Sequence, residues 1–297
     1  MDLVRLGLER ARSADAAVDV MTELLDAHGQ GGIADATNGE AYFSSFLIAD
    51  PRSAWVLETS GRSWAAKPVT EGAAISNRIS MDDRWTRASA DVTVGRAFDD
   101  WRDPKAFAAA ADIRLACTRA AVHGDQRAQD PAEIAALMRD HGTGPWGAPG
   151  GDATDAHGLP PAKVGSNGEG FSVCMHVRGH DVTAASMICD LPEDPALPLR
   201  AWVAAGSPCV SVFVPLFATS AIPTALAEES TWARFTDLRE RVEHNGDTLA
   251  EIRAVLGPLE ADLWARADEV AAVPRAQSSF VDSAWSRVDG ALATLGV

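Results

Sequence analysis

Lysine is almost absent: only Lys67, Lys105 and Lys163 stand among 26 basic residues, against 42 acidic ones, giving a formal charge of -16. That balance argues against nucleic acid or an anionic membrane surface as the main partner. The surplus of arginine and alanine matches the codon bias of a GC-rich genome and carries no functional weight. Cysteine is also scarce. Cys117, Cys174, Cys189 and Cys209 lie far apart with no C-x-x-C spacing, which suits reduced thiols better than a disulfide framework or a zinc ribbon. No apolar run approaches the ~18 residues of a membrane span, and no basic stretch followed by an apolar one opens the chain. A soluble, cytoplasmic protein is expected. Neither a G-x-S-x-G elbow, a P-loop nor an internal repeat is present. The one G-x-G-x-x-G match, Gly142 to Gly147, follows a predicted helix and runs into Ala148-Pro149-Gly150-Gly151. A dinucleotide fingerprint must follow a strand and open a helix, so no cofactor is expected.

What is present suffices for a core. At 297 residues with 46% hydrophobic content, the chain reads as one large α+β domain, residues 1–225, with a helical extension, residues 226–297. The clearest stretch runs from Tyr42 to Met81. Phe43 to Ala49 is a short apolar run, and Asp50-Pro51-Arg52-Ser53 has the acidic first position and second-place proline of a type I turn. Ala54 to Glu58 returns, Ser60-Gly61-Arg62 turns again, and Ser63 to Val69 runs out. With a last strand from Gly72 through Ile79, the pattern predicts a four-strand antiparallel meander.

Around it, the spacing predicts helices over residues 3–12, with Val4, Leu8 and Ala11 on one face, and from a Ser13 cap to Gly29. An acidic loop covers Asp82 to Asp103. Helices then start at Asp103-Pro104 and Asp130-Pro131, with proline in the first turn. A glycine- and proline-rich loop over residues 142–170 precedes four predicted strands, at 171–178, 182–189, 199–205 and 209–214. From Glu229 onward the pattern is helical, with a kink expected at Gly257-Pro258 and an apolar seam of Leu249, Ile252, Leu256, Leu259, Leu263 and Val270.

Two polar residues stand out. Asn77 shares a predicted strand face with Ile75 and Ile79. A buried amide there is held by a neighbouring backbone, or lines a pocket and offers its NH2 to a ligand. Arg114 falls on the stripe of Phe107, Ala110, Cys117 and Ala121. It either reaches the edge of the helix or pairs with a buried carboxylate or a ligand. Cys174, His176 and His180 suggest a metal at first sight, but the spacing spans a predicted turn and no second ligand pair is evident, so no metal is expected. Cys174 and His176 could also form a nucleophile pair on one strand face, although such neighbours more often simply pack.

The runs Ser45-Phe46-Leu47-Ile48-Ala49-Asp50, Ala54-Trp55-Val56-Leu57-Glu58-Thr59-Ser60-Gly61, Trp64-Ala65-Ala66 and Ile75-Ser76-Asn77 resemble the secernin family and its bacterial dipeptidase relatives. The likeness extends upstream to Met1-Asp2-Leu3-Val4-Arg5-Leu6-Gly7-Leu8-Glu9-Arg10-Ala11 and Gly29-Gln30-Gly31-Gly32, and more faintly to about Phe217. Those proteins are cysteine-type N-terminal-nucleophile hydrolases with a four-layer αββα fold. The resemblance implies a dipeptide or small-amide substrate, Asn77 as an oxyanion donor and Arg114 near the nucleophile. It also implies that the nucleophilic cysteine lies on strands upstream of Met1, so that the chain as it stands is inactive, exposes an unpaired sheet edge and self-associates. The alternative is a non-catalytic binding or scaffold module that keeps the fold.

Overall fold

Strand β1 (Phe43–Ala49) and strand β2 (Ala54–Ser60) pair in antiparallel register from Phe43 opposite Ser60 to Ala49 opposite Ala54. The hairpin between them closes on Asp50, whose Oδ1 accepts from the Arg52 and Ser53 amides at 2.7 and 2.9 Å. Strand β3 (Ser63–Pro68) follows a turn at Gly61, where φ is +65°, a backbone shape that glycine adopts without Cβ strain. In this computed structural model, residues 2–30, 43–101, 109–123, 127–128, 130–141, 172–176 and 182–297 are described.

The fourth strand is not where the sequence pattern puts it. Residues 73–80 form no ladder, and the sheet, in the order β1-β2-β3-β4, ends on the two-residue strand β4 (Arg87–Ala88). Within that run the Arg78 amide closes locally on the Ser76 carbonyl at 2.7 Å, and just past it Glu58 accepts from the amides of Ser80 and Met81 at 2.8 and 2.7 Å, which bends the chain out of strand geometry.

Each face of this sheet is covered by a different segment. Helix α2 (Ala14–His28) starts on Ser13, whose side chain accepts from the Ala16 amide, and stops at Gly29 with φ +72°. Its buried Val18, Met21 and Leu25 pack on Leu57, Trp64 and Ala66. The other face, Val56 and Ala65, is covered by Ile79, Met81, Val92 and Phe98. Helix α1 (Asp2–Arg10) packs on the opposite side from the expected one. Leu8 is 79% exposed, whereas Gly7 is buried, where an added Cβ would come within 3.3 Å of the Met21 sulfur. Helix α3 (Ala109–Val122) buries Ala111 and Leu115, one position away from the expected stripe, which leaves Arg114 at the helix edge.

The chain divides into two compact units, Met1–Arg127 and Ala128–Val297. The second opens with helix α4 (Pro131–Met138), capped by Asp130. A three-stranded antiparallel sheet follows in the order β5 (Ala185–Asp190), β6 (Arg200–Ala205), β7 (Val214–Phe217). Of the strand expected before β5, the described part is a single bridge from His176 to Val182, and the predicted strand at 209–214 begins instead with a 3-10 turn, Pro208–Val210. Helices α5 (Glu229–His244), α6 (Thr248–Ala271) and α7 (Pro274–Thr294) complete it. Ile252, Leu256 and Leu263 of the predicted seam join one core with Val214, Phe217, Phe235 and Val288. The helices after residue 226 therefore share the core of the second unit, whose boundary falls at residue 127. Among the described residues no helix is long and apolar enough to cross a membrane. With 49% helix and 17% strand among the described residues, the structure mixes helix and sheet, compatible with an α+β fold.

Two outcomes test this packing. Gly206 has φ +74°, and a Cβ there would lie 2.8 Å from that of Phe235, whereas Gly61, also at positive φ, has open space around it. Gly206→Ala should cost about 2–4 kcal/mol and Gly61→Ala about 1–2 kcal/mol. Equal losses in urea unfolding would contradict the contact. Asp50 Oδ2 also accepts from the Ala14 amide at 2.6 Å, in the first turn of α2. That bond, with those from Arg52 and Ser53, lowers the Asp50 carboxyl from 3.8 to about 2. Its stabilisation is therefore full above about pH 3.8 and lost as the pH falls towards 2. Asp50→Ala should remove about 1–2 kcal/mol at pH 7 and flatten that part of the acid-stability curve.

Candidate functional site

Side chains alternate along a strand, so Glu58 shares the face of Val56 and lies between its partners Ser45 and Ala65. It is fully buried. Burial pushes its carboxyl upward, against hydrogen bonds from the Ser80 and Met81 amides and the Ser80 and Ser45 hydroxyls. With those donors Glu58 is an anchor rather than a reacting group, and what it anchors is the segment carrying Asn77.

Asn77 sits at the tip of a tight turn in which the Arg78 amide donates to the Ser76 carbonyl at 2.7 Å. The expectation of an amide buried on a strand is corrected here: Asn77 is exposed. Arg114 comes to it from α3, its Nη2 donating to Asn77 Oδ1 at 3.0 Å. One and a half turns further on, Arg119 Nη2 donates to the Ser80 hydroxyl at 3.0 Å. Arg78 pairs with Asp112 and, at 3.2 Å, with Asp99. Burial works against the Arg78 charge, but these two carboxylates outweigh it and hold the guanidinium protonated. The result is a donor-rich surface built from one turn and one helix, in which Asp99 and Asp112 offset the charge of Arg78.

A second cluster lies in the second unit. His141 follows α4, Cys174 and His176 belong to residues 172–176, and Cys209 stands in the 3-10 turn before β7. The four candidate ligand atoms all lie within 4.8 Å of one another. His176 Nε2 is 3.4 Å from Cys174 Sγ and 3.3 Å from Cys209 Sγ. Its other nitrogen, Nδ1, is 2.9 Å from Glu243 Oε1, and Arg239 clamps Glu243 with two contacts of 2.9 Å. The backbone holds the pieces together: the Cys174 amide donates to the Asp140 carbonyl at 3.0 Å, and Arg139 Nε to the Pro208 carbonyl at 2.9 Å.

The electrostatics of this cluster are divided between its thiols. Burial pushes the Cys174 thiol far up, while hydrogen bonds from Cys174, then from His141 and His176, hold the Cys209 thiol well below its ordinary value. For His176 burial acts downward, but contacts with Cys209 and Glu243 prevail and carry it up to about 9. The arrangement has the elements of a thiolate–imidazolium pair. It has no access for a substrate, since Cys174 is 0%, His176 2% and Cys209 2% exposed. A nucleophile pair at Cys174 and His176 is thus unsuited to attack an external carbonyl.

The reason given by the sequence against a metal, that no second ligand pair exists, is corrected by the fold. Cys209 and His141 provide that pair from distant segments, 33 residues separating His176 from Cys209. Local spacing carries no sign of this convergence, because the ligands come from a helix end, an irregular segment and a turn. His180 and the glycine motif at 142–147 lie outside the described residues. No protein-family model matches the chain, and no solved structure is significantly similar to it.

Proposed function

We propose that the first unit supplies the carbonyl-facing part of a secernin-type cysteine amide hydrolase, acting on the C–N bond of a dipeptide or small amide. The observation that carries this reading is the 3.0 Å hydrogen bond from Arg114 to Asn77. Two residues, 37 apart in the chain, that the resemblance marks separately stand in contact. Arginine offers donors only, so the oxygen of the Asn77 amide faces it and the NH2 turns elsewhere. That orientation leaves a side-chain donor, backed by a positive charge, for the oxygen of a tetrahedral intermediate.

Hydrolysis also needs a thiolate and a base that later protonates the leaving amine. In this reading both are carried by residues upstream of Met1, and that segment completes the four-layer αββα arrangement. Cys174 and Cys209 do not take the role, being sealed from substrate. Arg114 favours the thiolate form by its charge.

The test is hydrolysis of a dipeptide and small-amide panel by the 297-residue chain and by a form extended through the upstream reading frame, each with and without iodoacetamide. Activity is expected in the extended form alone and should vanish on alkylation. Within that form Asn77→Ala should lower kcat by about 10²-fold or more, with KM much less affected. An unchanged kcat would remove Asn77 from the site. No activity in either form would favour the non-catalytic binding or scaffold module.

A further inference from the structure

The geometry points to a structural zinc site formed by His141, Cys174, His176 and Cys209. It belongs to the second unit and does not depend on the hydrolase reading of the first. In a tetrahedral zinc site, with Zn–S about 2.3 Å and Zn–N about 2.0–2.1 Å, neighbouring sulfur and nitrogen ligands are about 3.5–3.6 Å apart. The two sulfur–nitrogen separations at His176, 3.4 and 3.3 Å, are close to those edges. All four ligand atoms fall within 4.8 Å of one another, and drawing the wider pairs in by about 1 Å to the edge of a tetrahedral site brings every one within reach of a single ion.

Three further features favour a metal over simple packing. First, His176 Nδ1 lies 2.9 Å from Glu243 Oε1, so that carboxylate keeps the ring proton on Nδ1 and, once the other ring proton is displaced by the ion, Nε2 offers its lone pair between the two sulfurs. A carboxylate behind a histidine is the usual outer support of a metal-bound imidazole, and Arg239 holds that carboxylate in place. Second, charge balances: when Zn2+ binds, two protons leave to solvent, one from the Cys174 thiol and one from the Cys209–His176 pair, and two thiolates with two neutral imidazoles leave the buried centre with no net charge. That is the condition under which ions are tolerated in an interior. Third, two sulfurs and two nitrogens in a tetrahedron suit zinc and disfavour magnesium or calcium, which take oxygen ligands.

The ligand set is closed. Four protein donors leave no position for a substrate or a water, and the thiols and His176 are buried, so the role is structural rather than catalytic. The ion would tie the end of α4, residues 172–176 and the turn before β7 into one unit, and through Glu243 it would fix α5 as well.

The full chain, purified under reducing conditions after growth with added zinc, should contain about one zinc per chain by elemental analysis. The double variant Cys174→Ser, Cys209→Ser should fall below about a tenth of that, while Cys189→Ser, altered on the exposed thiol of β5, should keep it. Two measurements on the unaltered chain avoid dependence on a variant that fails to fold. Co2+ in place of zinc should give the visible bands of a tetrahedral, thiolate-bound ion. Removal of zinc by a chelator should lower Tm by at least about 5 °C, restored by Zn2+ but not by Mg2+. A folded, reduced chain that takes up neither Zn2+ nor Co2+ would overturn the proposal. So would undiminished zinc in the double variant, or a Cys174 to Cys209 disulfide as the state of the purified, metal-free protein.

Discussion

A carboxyl group without exposure must be surrounded by donors, and the burial of Glu58 sets the path of the chain that carries the candidate site. The strand β2 places it on the inner face opposite Ser45. Its oxygens then take the amides of Ser80 and Met81 and the hydroxyl of Ser80. The chain between Ser76 and Met81 is held by these bonds, and its tight turn lifts Asn77 into solvent, where Arg114 meets it. Helix α3 is aligned to the same segment by the pairing of Arg78 with Asp112 and of Arg119 with Ser80. The candidate site is thus a consequence of how one buried carboxyl group is satisfied.

The second unit repeats the device with other residues. Glu260 on α6 accepts from Arg139 at 2.6 Å and from the Phe213 amide at 2.7 Å, joining α6 to the chain beside His141 and to the segment entering β7. Glu243 on α5 binds His176 and Arg239. Buried charged pairs are costly to break, because the remaining partner is left uncompensated. They orient the elements around the Cys–His cluster, where packing of apolar side chains alone would leave their rotation loosely determined.

Comparison of pattern and fold shows where periodicity is informative. The hairpin β1 to β2 and the strand β3 were legible because their pairing is local and each turn has its own chemistry, at Asp50 and at Gly61. The helix from Ser13 to Gly29 was legible for the same reason, with a cap at each end. The run from Gly72 to Ile79 has a strand's alternation yet forms none: its Arg78 amide closes locally on Ser76, and Glu58 takes the two amides that follow it, at Ser80 and Met81. On α1, an apolar stripe through Val4 and Leu8 was the stronger pattern, but the closer approach offered by Gly7 decided which side packs.

The candidate sites divide in the same way. Asn77 and Arg114 were distinguishable in the sequence as polar residues at apolar positions, and their contact was not, since it requires α3 to lie across a turn 37 residues away. Cys174 and His176 were visible as neighbours, whereas His141 and Cys209 were not, because nothing local to a helix end or a 3-10 turn marks a ligand. By itself, the sequence determined those elements whose hydrogen bonds close within a few residues: capped helices, hairpins, and an acidic, lysine-poor surface. Tertiary structure alone decided which polar groups meet. Buried donors and acceptors must be paired wherever they lie in the chain, and that requirement is met in space rather than along the sequence.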